Sequence, residues 1–438
     1  MRLRTLLLMM TMLFAAVCGS AAYAETTPTE AKALAAAATD KTAYTLPPDK
    51  LAKAVAYDHQ RLWLTAGDFV WGVGQIVLLL ALGAIAWMRD RAVKTSKSRW
   101  IQALIFLLLF VVVTTVLSLP LDLIRQHLAR SYGMSVQGWG SWVGDQGKGL
   151  GLTLAFGWPL LMLFFWVVRK SPRMWWFWFW IPAMLVVLFG VFISPVLIDP
   201  LFNKFEPLQA SNPALVAQLE KVVERGGINI PPERMFLMKA SDKVTTLNAY
   251  VTGFGASKRV VVWDTSIAKG TPDEISFIFG HEMGHYVLNH IPKTLVFLGV
   301  LLLVTFYLGY RGVNWLIGRY GAAWGVPSQN DWGMLAVFMV VVSVLSTLSG
   351  PITSGYSRGH EHDADVYGLE AVHGIVADPQ KTGQEAFQLL GENGLSDPYP
   401  SDLEVFWLYS HPAIGLRAGF AKAYDPWAVG EEPKFFKK

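Results

Sequence analysis

Six uncharged apolar runs constrain the fold of this chain more than any other feature. They are Phe69 to Met88, Trp100 to Leu119, Leu150 to Val168, Met174 to Leu197, Thr294 to Tyr310 and Trp332 to Gly350. Each approaches the length of roughly 20 residues that carries a helix across a bilayer. Hydrocarbon offers no water to unpaired backbone groups, so such runs must be helical. Composition agrees, with 53% hydrophobic and only 16% charged residues among 438. The expectation is a mainly α, polytopic α-helical membrane protein. None of the runs holds Asp, Glu, Lys, Arg or His. That argues against a membrane transporter or channel, where ion and proton relays need such groups within the membrane.

Residues 1–24 read as a secretory signal: Arg2 and Arg4, an apolar stretch from Thr5 to Val17, then Ala22-Tyr23-Ala24 as a cleavage site. An uncleaved first membrane helix and a lipid-modified Cys18 are the alternatives. Residues 25–68 form an extracytoplasmic N-terminal segment, whose Ala, Thr and Lys-rich start, to about Thr45, reads as a mobile or loosely helical connector. Four spans fill 69–197 and two more fill 294–350. Between and after them lie 198–293 and 351–438.

Basic residues fix the orientation. Arg89, Arg91, Lys94, Lys97 and Arg99 follow the first run, and Arg169, Lys170 and Arg173 the third, so both loops should be cytoplasmic. The segments 198–293 and 351–438 then share the opposite face, which points to a bacterial inner membrane protein with its catalytic domain extracytoplasmic. Net charge is +4, without a basic tract interleaved with aromatics, so the lipid bilayer and not nucleic acid is the expected partner. The single cysteine excludes an intramolecular disulfide and a four-cysteine zinc site.

The loop after Ile198 changes character. Leu215 to Arg225 has helical spacing closed by Gly226-Gly227. Arg234 to Met238, Ala249 to Thr252 and Arg259 to Val262 read as strands, the last two joined as a hairpin through Gly253-Phe254-Gly255. Asn248, Ala249 and Tyr250 are candidates for an edge that takes an extended peptide as an added strand; a plain structural hairpin is the alternative.

Thr271, Pro272 and Glu274 then make a capping box with proline in the first turn. The helix they start carries His281-Glu282-x-x-His285. Residues four apart share a helix face, so both imidazoles can hold one zinc ion, with Glu282 beside them as a general base for an attacking water. The extended motif with a third histidine six residues on is absent, because Ile291 stands there. His290 misses it by one position and reads as a residue supporting the ligands. A third ligand must come from Ser357-Arg358-Gly359-His360-Glu361-His362-Asp363-Ala364-Asp365. Glu361 leads there, with Asp365 on the same face to orient an imidazole, while His360 and His362 remain rivals.

These motifs, with Pro200 to Phe205, Asn248 to Gly253, Lys258 to Asp264 and Ser410-His411-Pro412, resemble those of the type I CAAX prenyl proteases, integral-membrane gluzincin zinc metalloproteases. The resemblance covers most of the chain beyond Ile198. It implies His281, His285 and Glu361 as zinc ligands, one Zn2+ per chain, Glu282 as catalytic base, and His411 and Arg417 facing the site to assist substrate or transition-state binding. It also implies a zincin-type α/β catalytic domain assembled from two segments, and a chamber enclosed by seven membrane helices. This chain departs from the family in its signal-like first segment and its extracytoplasmic catalytic face. The reading is a membrane zinc endopeptidase acting on a peptide or protein substrate, lipidated and membrane-bound ones among the candidates. A catalytically inert, zinc-stabilised chaperone or scaffold is the remaining alternative.

Overall fold

The computed structural model describes residues 26–253 and 258–437. The signal-like segment 1–24, Cys18 within it, and Phe254 and Gly255 of the expected hairpin turn lie outside the described residues.

The described residues open with α1 (Pro28–Thr39), where a mobile or loosely helical connector was expected. Thr27 and Glu30 form a reciprocal capping box, and Ala33 and Ala37 are buried. Alanines four apart make a flat stripe that packs by close approach, a signal that average hydropathy conceals. Then come α2 (Pro48–Ala81), α3 (Ala84–Thr95), α4 (Arg99–Ser131), α5 (Trp139–Lys170) and α6 (Trp175–Phe192). The first apolar run, expected as one helix to Met88, is broken between α2 and α3. Gly83 takes φ 70° there, a left-handed conformation that costs glycine little. The span also starts earlier than expected, at Pro48.

In the first of the two segments between and after the spans, α7 (Pro213–Arg225) lies between the first and second strands of a four-stranded sheet. Its strands β1 (Phe205–Pro207), β2 (Met235–Met238), β3 (Ala249–Thr252) and β4 (Arg259–Trp263) lie in the order β1-β2-β4-β3. β1 was not expected, since three residues ending in proline carry no alternation to read. It pairs antiparallel with β2, Phe205 opposite Met238. β2 and β4 run parallel, and β3 pairs antiparallel with β4, Ala249 opposite Val262.

The helix with the histidine pair is α8 (Pro272–Val287), started by the expected Thr271–Glu274 box. Asn289, at φ 57°, joins it to α9 (His290–Trp324). That helix far exceeds its apolar run. After α10 (Met334–Leu348) the chain bends by 47° into α11 (Gly350–Val372). Helices α12 (Pro379–Gly394), α13 (Asp402–Leu408) and α14 (Ile414–Ala423) follow. Among the described residues five helices, α2, α4, α5, α6 and α9, are long and apolar enough to cross a membrane, six if bent α10–α11 counts as one span. The protein is a polytopic, mainly helical integral membrane protein. Edge-to-face aromatic pairs such as Phe164–Trp175 and Phe165–Trp332 tie its membrane helices together.

Two glycines set the geometry of the site. A Cβ on Gly368 of α11 would meet the His281 backbone nitrogen at 3.0 Å, and one on Gly280 of α8 would meet Gly368 at 3.3 Å. The two backbones therefore touch where their side chains must converge. Phe277, Phe279, Met283, Leu369 and Phe387 fill the core around that crossing.

Candidate metal centre

The metal-binding face of α8 is held partly buried by the crossing with α11. His281 Nε2 and His285 Nε2 lie 3.2 Å apart. Glu361 Oε2 lies 3.3 Å from the first, and Oε1 3.4 Å from the second. These three residues form a cluster able to hold a metal ion. Its donor set fits that use. Lone pairs face one another at short range, and Glu361 Oε2 is buried without a well-formed hydrogen bond. Burial disfavours a charged imidazole, yet Asp365 and Glu361 raise the His281 pKa well above its usual value.

The supporting residues follow the same logic. Asp365 Oδ1 lies 2.8 Å from His281 Nδ1 and fixes that ring with Nε2 facing the cluster. His290 does the corresponding work on the other ring, its Nδ1 lying 3.0 Å from His285 Nδ1. It reaches that place because the two-residue joint Leu288-Asn289 turns the start of α9 back onto α8. The rivals of Glu361 point elsewhere. His360 stacks on His290 at 4.1 Å between ring centres, and His362 Nε2 lies 2.7 Å from Glu30.

Glu282 is half-buried on α8, and burial pushes its pKa up to about 7. The charges of His281, Glu361 and Arg417 all act on it. His411 brings Nε2 to 3.2 Å from Glu361 Oε2 from a loop, with its side chain about half exposed. Arg417, expected to face the site, lies beside it, with Nη2 3.6 Å from Glu361 Oε2. It donates to Asp365 through Nε at 2.9 Å and Nη2 at 2.7 Å, stacks over Phe387, and is buried. It therefore acts through Asp365 and Glu361. Ser410, read in the sequence only as part of Ser410-His411-Pro412, places its Oγ 2.9 Å from His411 Nδ1.

Asn248, Ala249 and Tyr250 lie at β3, which ends the sheet on one side and packs beside α8. The Asn248 carbonyl accepts from Trp263 N–H and the Ser266 hydroxyl, which fixes the start of the strand. The outer edge of β3 has no paired strand among the described residues.

Comparison with known proteins agrees with this arrangement. Residues 31–204 match the family model for the CAAX prenyl protease N-terminal region with five membrane helices, and residues 209–424 match peptidase family M48. An uncharacterised metalloprotease of Bacillus subtilis, YhfN, is 32% identical over 324 residues, covering 74% of each chain. CAAX prenyl protease 1 of Saccharomyces cerevisiae is 30% identical over 331 residues, covering 72% of this chain and 71% of that one. The crystal structure of S. mikatae Ste24p superposes with a TM-score of 0.72 at 25% identity, covering 95% of this chain and 98% of that one. With its spans, its His281–His285–Glu361 cluster and these matches, the chain belongs to the CAAX prenyl protease family, within the M48 metallopeptidases.

Proposed function

We propose that this membrane metalloprotease is a zinc-dependent endopeptidase in which His281, His285 and Glu361 bind one Zn2+ and Glu282 is the general base. The donor spacing carries the reading. Zinc bonds of about 2.0–2.1 Å place neighbouring donors of a tetrahedron about 3.3 Å apart. Here the two Nε2 atoms lie 3.2 Å apart, and the Glu361 carboxylate spans them, with Oε2 3.3 Å from His281 Nε2 and Oε1 3.4 Å from His285 Nε2. Three protein donors leave the fourth position of a catalytic site, whereas structural zinc sites close with four.

A zinc ion held there supplies Lewis-acid activation of a water molecule and of the scissile carbonyl. Glu282 takes the proton of the attacking water and delivers it to the leaving amine, a double role suited to a carboxyl near pH 7. His411 offers Nε2 toward the oxygen on which negative charge develops. Arg417 steadies Asp365, and through it His281. The substrate lies as an added strand along the outer edge of β3, beside Asn248, Ala249 and Tyr250, with the Asn248 backbone itself held by Trp263 and Ser266. The chemistry calls for a peptide or protein substrate, and the membrane setting brings lipidated and membrane-bound ones within reach. The basic loops after the first and third spans favour an extracytoplasmic catalytic face.

The test is cleavage of a mixed peptide library, including prenylated CAAX peptides, by purified protein and by Glu282→Gln at equal, measured zinc content. Wild type should cut and the variant should not, both holding one zinc. Equal cutting by both would remove Glu282 from the mechanism. Failure of both would favour the inert scaffold.

A further inference from the structure

We propose that Arg358 is a positioning residue for His411, holding the His411 loop to the helix that carries Glu361. The inference rests on the reading of His411 as a donor at the reaction centre.

The starting point is the end of α13. The last carbonyls of a helix have no partner within it. Helix α13 ends at Tyr409 in an extended conformation without a backbone capping bond. Arg358 fills that place. Its Nη1 donates to the Val405 carbonyl and to the Tyr409 carbonyl, each at 2.8 Å. One guanidinium nitrogen carries two hydrogens, one for each oxygen. Arg358 makes no ion pair among the described residues, so its donors serve this loop.

Geometry then links the arginine to the reaction centre. Arg358 and Glu361 are three residues apart on α11 and share a face. From Tyr409 the chain needs only Ser410 to reach His411, and Ser410 Oγ lies 2.9 Å from His411 Nδ1. On the far side, Pro412 leads into α14, which carries Arg417. The 3.2 Å separation of His411 Nε2 from Glu361 Oε2 is therefore set by a short bridge that leaves α11 at Arg358 and returns to it at Glu361. His411 needs such a bridge. Its side chain is about half exposed, and its polar contacts among the described residues are Ser410 and Glu361 alone.

The experiment compares kcat and KM of full-length protein in lipid nanodiscs on a peptide that the wild type cleaves. The variants are Arg358→Met, Arg358→Lys, His411→Ala and Arg358→Met with His411→Ala, with bound zinc per chain and thermal unfolding measured for each. Arg358→Met should lower kcat by up to about 100-fold, the scale of an ångström's misplacement of a reacting group, with KM and zinc content unchanged. Arg358→Lys, which keeps a donor for one carbonyl, should recover part of the loss even if the methionine variant folds poorly. On the His411→Ala background, Arg358→Met should add less than about threefold, since residues acting as one unit are not additive.

Full multiplication of the two effects, or loss of zinc from Arg358→Met and Arg358→Lys, would overturn the inference. So would wild-type kcat in both Arg358 variants while His411→Ala is impaired, with the role of His411 left standing. Wild-type kcat in His411→Ala would overturn that role together with the inference.

Discussion

His281 Nδ1 lies 2.8 Å from Asp365 Oδ1, and that carboxylate is also held by Arg417 at 2.7 and 2.9 Å. The bond fixes the His281 tautomer and leaves Nε2 free for a metal. Asp365→Asn should therefore weaken metal binding by about 10–100-fold, the range for outer partners of ligating histidines. Titration with a competing chelator measures it. An unchanged affinity would mean that Arg417 and the helix crossing alone hold the ring.

Gly368→Ala should also loosen the metal centre without touching a ligand. The added methyl would stand 3.0 Å from the His281 backbone nitrogen and 3.2 Å from its Cα, so α8 must move away from α11. Overpacking of this kind costs about 1–3 kcal/mol. Lower zinc retention on dialysis, with helix content preserved, is the expected result.

Glu370 is fully buried and accepts from the Tyr424 hydroxyl and from the backbone N–H groups of Lys434, Phe435 and Phe436. One carboxylate thereby straps the end of the chain across α11. Glu370→Gln puts an amide N–H2 where N–H donors point, at a cost of about 2 kcal/mol. Unfolding in detergent should shift down by about 2 °C, and limited proteolysis should release the tail. If neither changes, the strap is incidental.

Glu30 joins α1 to the same helix through His362 at 2.7 Å and Lys434 at 3.0 Å, and Lys434 also donates to Asp363. Burial opposes the charge of Glu30, but the bonds from His362 and Lys434 hold its pKa below the ordinary 4.5. A depressed folded pKa stabilises the fold above the unfolded value, and that contribution is lost as pH falls through the folded value. Glu30→Gln should destabilise the protein by about 2 kcal/mol at neutral pH. The gap from wild type should narrow as pH falls below 4.5, as unfolding curves at several pH values would record. A gap constant with pH would assign the effect to packing alone.

Much of this architecture was legible in the sequence because its signals are local. Apolar runs announce spans, Thr271 and Glu274 announce the start of α8, and residues four apart must share a helix face. His281, Glu282 and His285 followed from those facts alone. The break at Gly83, the three-residue β1 and the ordered α1 were not legible. The Gly83 break is one glycine's left-handed turn inside a continuous apolar run, while α1 depends on its packing: Ala33 and Ala37 read as a mobile or loosely helical connector until Gly419 of α14 offers a surface without a Cβ.

Among His360, Glu361 and His362, the residue types fixed a short set of possible ligands, and the family resemblance chose Glu361. Only tertiary structure decides which side chain arrives, because adjacent residues on α11 differ by about 100° in direction. The Gly280–Gly368 crossing aims Glu361 at the two imidazoles, sends His360 to His290 and sends His362 to Glu30. Arg417 reads from the sequence alone as a solvated helix charge, which only the family resemblance brings to the site, and in the fold it is bonded to Asp365. Sequence determined which groups could hold a metal and cut a peptide; the contact between two helix backbones, 87 residues apart in the chain from His281 to Gly368, decided which of them meet.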